Sequence, residues 1–162
     1  VDRLTPTLII VGIIVVAVAG MYFGWRALVR KCAGLVAPSP VPDSVGKVVS
    51  TFAGLYVATT LAAKPFERVA AHGLGFRART KVAVSRDGIT VEFKGRDPFF
   101  IDRRSILTVQ RATWAIDKAV EPGGLIVVTW RLGETELDSY FRIDGDSEEM
   151  LRASAVVIEG LQ

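Results

Sequence analysis

Three patterns of apolar and polar positions divide the chain. From Leu4 to Trp25 there is no charged side chain in 22 positions, and Leu8 to Ala19 is apolar throughout. A helix of that length spans about 30 Å, the thickness of a bilayer's hydrocarbon core, so this pattern predicts one transmembrane helix. From Gly54 onward, apolar residues alternate with polar ones at the period of half-buried strands. Strands are predicted over Gly54–Ala62, Phe76–Ser85, Ile89–Phe93, Phe99–Ile101, Ile106–Ala112, Leu125–Arg131 and Thr135–Ile143. Turn signals separate them at Arg86-Asp87-Gly88, Gly95-Arg96-Asp97-Pro98 and Leu132-Gly133-Glu134. The last segment changes period. Met150, Leu151, Ser154, Val157, Ile158 and Leu161 share one face of a helix that Asp146 or Ser147 caps, with Glu148 and Glu149 at its positive end. About seven antiparallel strands, with a C-terminal helix closing one end, predict a curved sheet or barrel.

The flanks of the apolar run give it a direction. Tyr22, Phe23 and Trp25 suit an aromatic belt at the membrane interface, and Arg26, Arg30 and Lys31 follow at once, whereas Arg3 on the other side is offset by Asp2. The basic flank belongs in the cytoplasm, which predicts a single-pass protein of the cytoplasmic membrane with its N-terminus outside and its C-terminal domain inside. Ala17-Val18-Ala19 also fits the cleavage site of a secretory signal. A weakly basic start, a positive cluster downstream and an uncharged run that continues past the site favour an uncleaved anchor. Val29-Arg30-Lys31-Cys32 has charges where a lipoprotein signal needs small residues, and Cys32 is expected to be an unmodified thiol. Val1 reads as a translated alternative start codon, which would make this the natural N-terminus. Gly20 and Gly24 form a GxxxG, the spacing that lets a second helix approach closely, although glycine is also common in transmembrane helices for other reasons.

Prolines at 38, 40 and 42 favour extended backbone, so the expected organisation is a transmembrane anchor with its basic flank over 1–31, a stiff Pro-rich linker over 32–47 and one cytoplasmic domain over 48–162. No internal repeat is visible.

Charge sharpens this picture. The chain carries 20 Lys and Arg against 17 Asp and Glu, but residues 1–31 hold four basic and one acidic side chain and account for the whole excess. The pI near 9.2 therefore reports membrane topology, and no nucleic-acid partner is expected. Within the domain, residues 64–111 carry a net +6 and residues 112–162 a net −6. Arg77, Arg79 and Lys81 alternate along one strand, and Arg103 and Arg104 precede Ile106. These five form a candidate basic patch for anionic lipid headgroups or an acidic partner. The alternative is compensation within the sheet, with basic strands paired against acidic ones.

Little else points to chemistry. One Cys and one His exclude a disulfide framework and a Cys/His zinc cluster. Gly73-Leu74-Gly75-Phe76-Arg77-Ala78 has the loose form of a dinucleotide fingerprint but leads into an alternating strand, where that mechanism needs a helix N-terminus. His72 reads as a solvated loop residue. Glu134, Glu136 and Asp138 alternate along a strand and could ligate a divalent cation, or be the wet side of an edge strand, which is the preferred reading. No catalytic residue, cofactor or metal site is expected.

The order of elements resembles the pleckstrin-homology-like (PH-like) fold. Arg86-Asp87-Gly88-Ile89-Thr90-Val91, then a turn and Phe100-Ile101-Asp102-Arg103-Arg104-Ser105-Ile106, looks like the corresponding run of bacterial members. More narrowly, Gly54-Leu55-Tyr56-Val57, Asp87-Gly88-Ile89 and Trp130-Arg131-Leu132 behind one apolar helix resemble small actinobacterial single-pass membrane proteins with a cytoplasmic PH-like domain. That resemblance implies a non-enzymatic binding or scaffolding module at the inner membrane face, whose partners are the bilayer, an unidentified membrane-associated protein and an anionic lipid. Relatives are also labelled transporter-like or export-related, with genes near those of pyrimidine biosynthesis, which leaves an accessory subunit of a transport or export complex as the alternative. A single transmembrane helix cannot by itself build an alternating-access path.

Overall fold

The computed structural model describes residues 4–32, 34–62, 64–112 and 124–159, and the chain divides into two compact units, Val1–Gly34 and Leu35–Gln162. Asp2, Arg3 and Leu161 lie outside the described residues, and of Lys31 and Cys32 only the backbone is described.

The first unit is one α-helix, α1 (Leu4–Cys32). Pro6 is tolerated because it sits in the first turn, where a backbone N–H has no intrahelical acceptor. Pro6–Ala27 is long and apolar enough to cross a bilayer, and none of it is buried. Tyr22 and Trp25 are exposed, as are Arg26 and Arg30, and the Tyr22 and Phe23 rings meet edge to face at 5.8 Å. A Cβ on Gly20 or Gly24 would meet nothing within 4 Å.

The second unit is an antiparallel sheet with one helix. Its strands are β1 (Val48–Leu61), β2 (Lys64–Arg68), β3 (Ala78–Ser85), β4 (Gly88–Phe93), β5 (Arg96–Asp102), β6 (Ile106–Arg111), β7 (Ile126–Leu132) and β8 (Thr135–Ile143). A single 3₁₀ turn, Arg103–Ser105, joins β5 to β6, and helix α2 (Ser147–Glu159) ends the described chain. The strand order is β5-β4-β3-β1-β8-β7-β6, with β2 folded back on β1. The path starts at β5 and stops at β6, so the sheet is open and does not close into a barrel. Its two wings nonetheless face each other: Phe99 of β5 stacks on Trp130 of β7 at 6.0 Å, although those strands lie far apart along the path.

Long β1 makes this bend possible. Its first part pairs with β3 and its second with β8, from Gly54↔Ile143 to Leu61↔Leu137, with a bulge between Tyr56 and Ala58. At Gly54 the β8 backbone is so close that a Cβ would strike the Arg142 carbonyl, so only glycine fits the crossover. Aromatic rings fill the space between the wings, with Tyr56 against Phe93 at 5.2 Å and Phe141 at 5.5 Å, and Phe93 against Phe99 at 5.7 Å. Helix α2 buries Met150, Ala153, Ser154 and Val157 against β1, β3 and β6, and the Asp146 carboxylate caps it by accepting from Glu148 N at 2.8 Å.

Two expectations change. The turn expected at Gly95–Pro98 is tighter, with Arg96, Asp97 and Pro98 already in β5; Pro98 is admissible there because β5 ends the sheet path and needs no ladder donor on its outer side. From Leu35 on, the segment expected as a stiff Pro-rich linker is attached to the domain. Leu35 O accepts from His72 Nε2 at 2.9 Å, Ser39 O accepts from Phe100 N at 2.9 Å, and Gly46 lies against Asp87. The segment is therefore a strap along the outer edge of β5. Pro38 and Pro40 flank its single bridge and have no N–H to offer, so the strap covers the edge without extending the sheet.

Candidate functional site

The five predicted basic residues do not form one patch. Arg79 pairs with Asp144 at 2.8 Å and Lys81 lies 3.9 Å from Glu92, so two strand cations are compensated across the sheet. Arg77 is exposed just before β3. Gly88 pairs with both Ser85 and Asp102, which puts Arg103 and Arg104 near the far end of β3. Six residues of strand, about 20 Å, separate that end from Arg79. Arg104 is exposed, its backbone N–H held by Asp102 Oδ1 at 2.7 Å.

Arg103 lies elsewhere. With Lys47 and Arg86 it lines a cavity of about 520 Å³ between the start of β1, the β3–β4 turn and helix α2. Backbone hydrogen bonds lock these segments together, Arg86 N to Lys47 O at 3.2 Å and Arg103 N to Asp87 O at 2.9 Å. Gly88 permits the approach, since a Cβ there would strike the Ile101 carbonyl and come within 3.1 Å of Arg103 N. Nε and Nη2 of Arg103 are buried without a hydrogen-bond partner. Among the described residues no carboxylate lies within 4.0 Å of the charged nitrogens of Lys47, Arg86 or Arg103. Their sequence spacing carries no motif, and only Arg103 was a candidate from the sequence.

A second cavity, of about 570 Å³, lies between the strap and the start of β5, lined by Pro38, His72, Leu74, Phe93, Arg96 and neighbouring residues. Its cation is committed to the fold: Arg96 Nη1 donates to Gly73 O at 2.6 Å, and the guanidinium lies 4.3 Å above the Phe93 ring. His72 is exposed, with a φ of 54°, and its Nε2 carries the proton because it faces the Leu35 carbonyl. The glycines of the fingerprint-like Gly73-Leu74-Gly75 form a turn that buries Leu74, and β3 follows.

Buried hydroxyls are occupied too. Tyr56 Oη donates to Leu74 O at 2.8 Å and lies 2.5 Å from Thr59 Oγ1; Thr59 Oγ1 is 2.6 Å from Ser139 Oγ, which accepts from Trp130 Nε1 at 2.9 Å. An indole only donates, a carbonyl only accepts, and each hydroxyl has one proton. The chain therefore runs one way, from Trp130 through Ser139, Thr59 and Tyr56 to Leu74. Burial pushes the Tyr56 phenol well above its ordinary pKa, the reverse of what a base or nucleophile needs.

The acidic residues of β8 are paired as well. Glu136 holds Arg131 at 2.9 Å and Asp138 accepts from Thr129 at 2.7 Å. Because β8 is flanked by β1 and β7, it is an interior strand rather than the expected edge. Among the described residues no group of three His, Cys, Asp or Glu side chains could hold a metal ion.

A bent antiparallel sheet around an aromatic core, capped by a C-terminal helix, is the architecture of a PH-like domain. Residues 35–156 match the family described as bacterial PH domain-like, and the chain belongs to that family. No curated protein matches the sequence. Two solved structures show a distant likeness. The C-terminal domain of an unknown protein from Leishmania infantum has a TM-score of 0.44 at 10% identity, over 88% of this chain and 99% of that one. Vav1 inhibited by an allosteric inhibitor has a TM-score of 0.45 at 8% identity, over 72% of this chain and 29% of that one. PH-like domains are generally non-catalytic binding modules, and the fold suggests a binding or scaffolding role.

Proposed function

We propose that the chain is a single-pass protein of the cytoplasmic membrane whose PH-like domain is a non-enzymatic scaffold, holding a protein partner at the inner leaflet. The observation that carries this reading is the pairing of a PH-like domain with α1, whose Val16, Leu8 and Phe23 are 72%, 70% and 67% exposed. A continuous apolar surface of that extent is unstable in water and is satisfied by a bilayer. Arg26, Arg30 and Lys31 at the C-terminal end of the helix favour the domain inside and the N-terminus outside. Tethering raises the partner's effective concentration without requiring a tight interface. The narrower likeness to actinobacterial single-pass proteins fits the same arrangement.

A second reading, an accessory subunit of a transport or export complex, is motivated by the GxxxG spacing of Gly20 and Gly24. Alkaline carbonate extraction and a C-terminal reporter test the anchor and its direction: release into the soluble fraction, or a periplasmic signal, overturns the first reading. Detergent capture of the full chain with mass spectrometry then separates the two. A partner retained by the Gly20→Leu, Gly24→Leu variant supports the scaffold, and one lost supports the accessory subunit.

A further inference from the structure

The described cations of the domain differ in how they are engaged: Arg68, Lys94, Arg104, Arg142 and Arg152 are exposed at the surface, and Lys64 lies 3.5 Å from Glu67. Arg79, Lys81, Arg111 and Arg131 are paired with carboxylates, and Arg96 is bound to backbone carbonyls and an aromatic ring. Lys47, Arg86 and Arg103 line one cavity and have no such partner among the described residues. A guanidinium edge shut away from both water and a counterion is unfavourable, and Lys47 and Arg86, exposed to solvent on the same cavity, add positive charge around it, an arrangement that calls for an anion.

The orphaned atoms also specify geometry. Nε and Nη2 lie on the same edge of the guanidinium with their two N–H bonds parallel, the fork that grips two oxygens of a phosphate or carboxylate once that edge is uncovered. Lys47 and Arg86 supply point charge and further donors around the same space, which at about 520 Å³ has room for a tetrahedral oxyanion with a substituent. Asp87 and Asp102 are the nearest carboxylates in sequence. The first packs on Gly46 and the second caps the Arg104 N–H. The rest of the lining is apolar, with Val48, Val49 and Val156 left 46%, 42% and 63% exposed, which suits an oxyanion attached to a hydrocarbon chain.

We infer that Lys47, Arg86 and Arg103 form an oxyanion site that takes a phosphate group, either free or carried on a lipid. Since Nε and Nη2 are covered, Arg103 turns about its last torsions to present the edge. This inference rests on reading the domain as a binding module; it is independent of the anchor and its direction, which carbonate extraction and the reporter decide separately.

The test uses the full chain in non-ionic detergent micelles, following the Nε–Hε signal of Arg103 by NMR, assigned by its loss in Arg103→Lys. Inorganic phosphate is titrated at constant ionic strength. In parallel, micelles are doped with phosphatidylglycerol, with phosphatidylcholine as control. A saturable shift with inorganic phosphate identifies free phosphate as sufficient; a shift only with phosphatidylglycerol assigns the site to a lipid headgroup. In either case Arg86→Gln weakens the response by about tenfold or more, the effect of losing one charge-assisted contact. No shift of the Arg103 signal with either probe, or a response unchanged in both Arg86→Gln and Lys47→Gln, overturns the inference.

Discussion

Trp130 donates its indole proton to Ser139, and through Thr59 that hydroxyl chain ends at Tyr56, whose own proton goes to the Leu74 carbonyl. The chain joins β7, β8 and β1 to the turn before β3, tying one wing of the sheet and its central strand to that loop. Replacing Tyr56 by Phe leaves the Thr59 hydroxyl proton without a partner in the core and the Leu74 carbonyl with the Thr59 backbone N–H alone. The variant should lose about 1–3 kcal/mol, measured by urea unfolding near neutral pH.

The same phenol gives a pH dependence. Burial raises the folded-state pKa of Tyr56, so the folded state holds its proton more tightly than the unfolded state does. This contribution is fully present below the ordinary phenol value of about 10 and is lost as pH rises from there toward the folded value. Unfolding midpoints should fall above that pH in the native chain, and less steeply in Tyr56→Phe. Equal slopes would show that the phenol does not set the alkaline limit.

Gly54 carries the bend of β1 beneath the Arg142 carbonyl. Gly54→Ala forces backbone apart at the crossover, with an expected loss of roughly 1–3 kcal/mol, as for overpacked cores. Gly95→Ala provides a contrast. It has open space around its Cβ position and a φ of +86°, so any cost there is backbone strain alone. Thermal melts of the two variants separate steric from conformational loss.

Arg79 and Asp144 are 65% and 46% exposed and form a surface pair. Arg79→Gln should change stability by no more than about 0.2–1 kcal/mol, and salt should erase the difference. The Arg103 response to phosphate should be unaffected, because Arg79 belongs to the other end of β3.

Arg103 behaves in the opposite sense. Removing a desolvated charge that no residue compensates leaves apolar neighbours in its place, so Arg103→Leu should melt at an unchanged or higher temperature without added anion. A lowered midpoint would mark Arg103 as a structural residue.

Much of the fold is legible in the sequence because burial is periodic. Thr135–Ile143 is read residue for residue as β8, and the cap of α2 is narrowed to Asp146 or Ser147, of which the structure uses Asp146, since alternation and capping are local rules. β2 escapes this reading. Its Lys64-Pro65-Phe66-Glu67-Arg68 leaves Phe66 84% exposed, and pairing with β1 alone makes it a strand. The strap misleads for a related reason: alternate prolines specify extended backbone but not what lies beside it.

The sequence by itself determined the apolar helix, the alternating strands, the terminal helix and the equal and opposite charges of the two halves of the domain, all of them properties of neighbouring residues. Only the tertiary structure decided how those charges are used. Pairing between β3, β4 and the end of β8 satisfies Arg79 and Lys81, while the close approach at Gly88 brings Arg103 beside Arg86 and Lys47 with no carboxylate among them. Charge balance summed along the chain does not show which charges are left unbalanced in space, because Coulomb interactions depend on distance and burial rather than on sequence order.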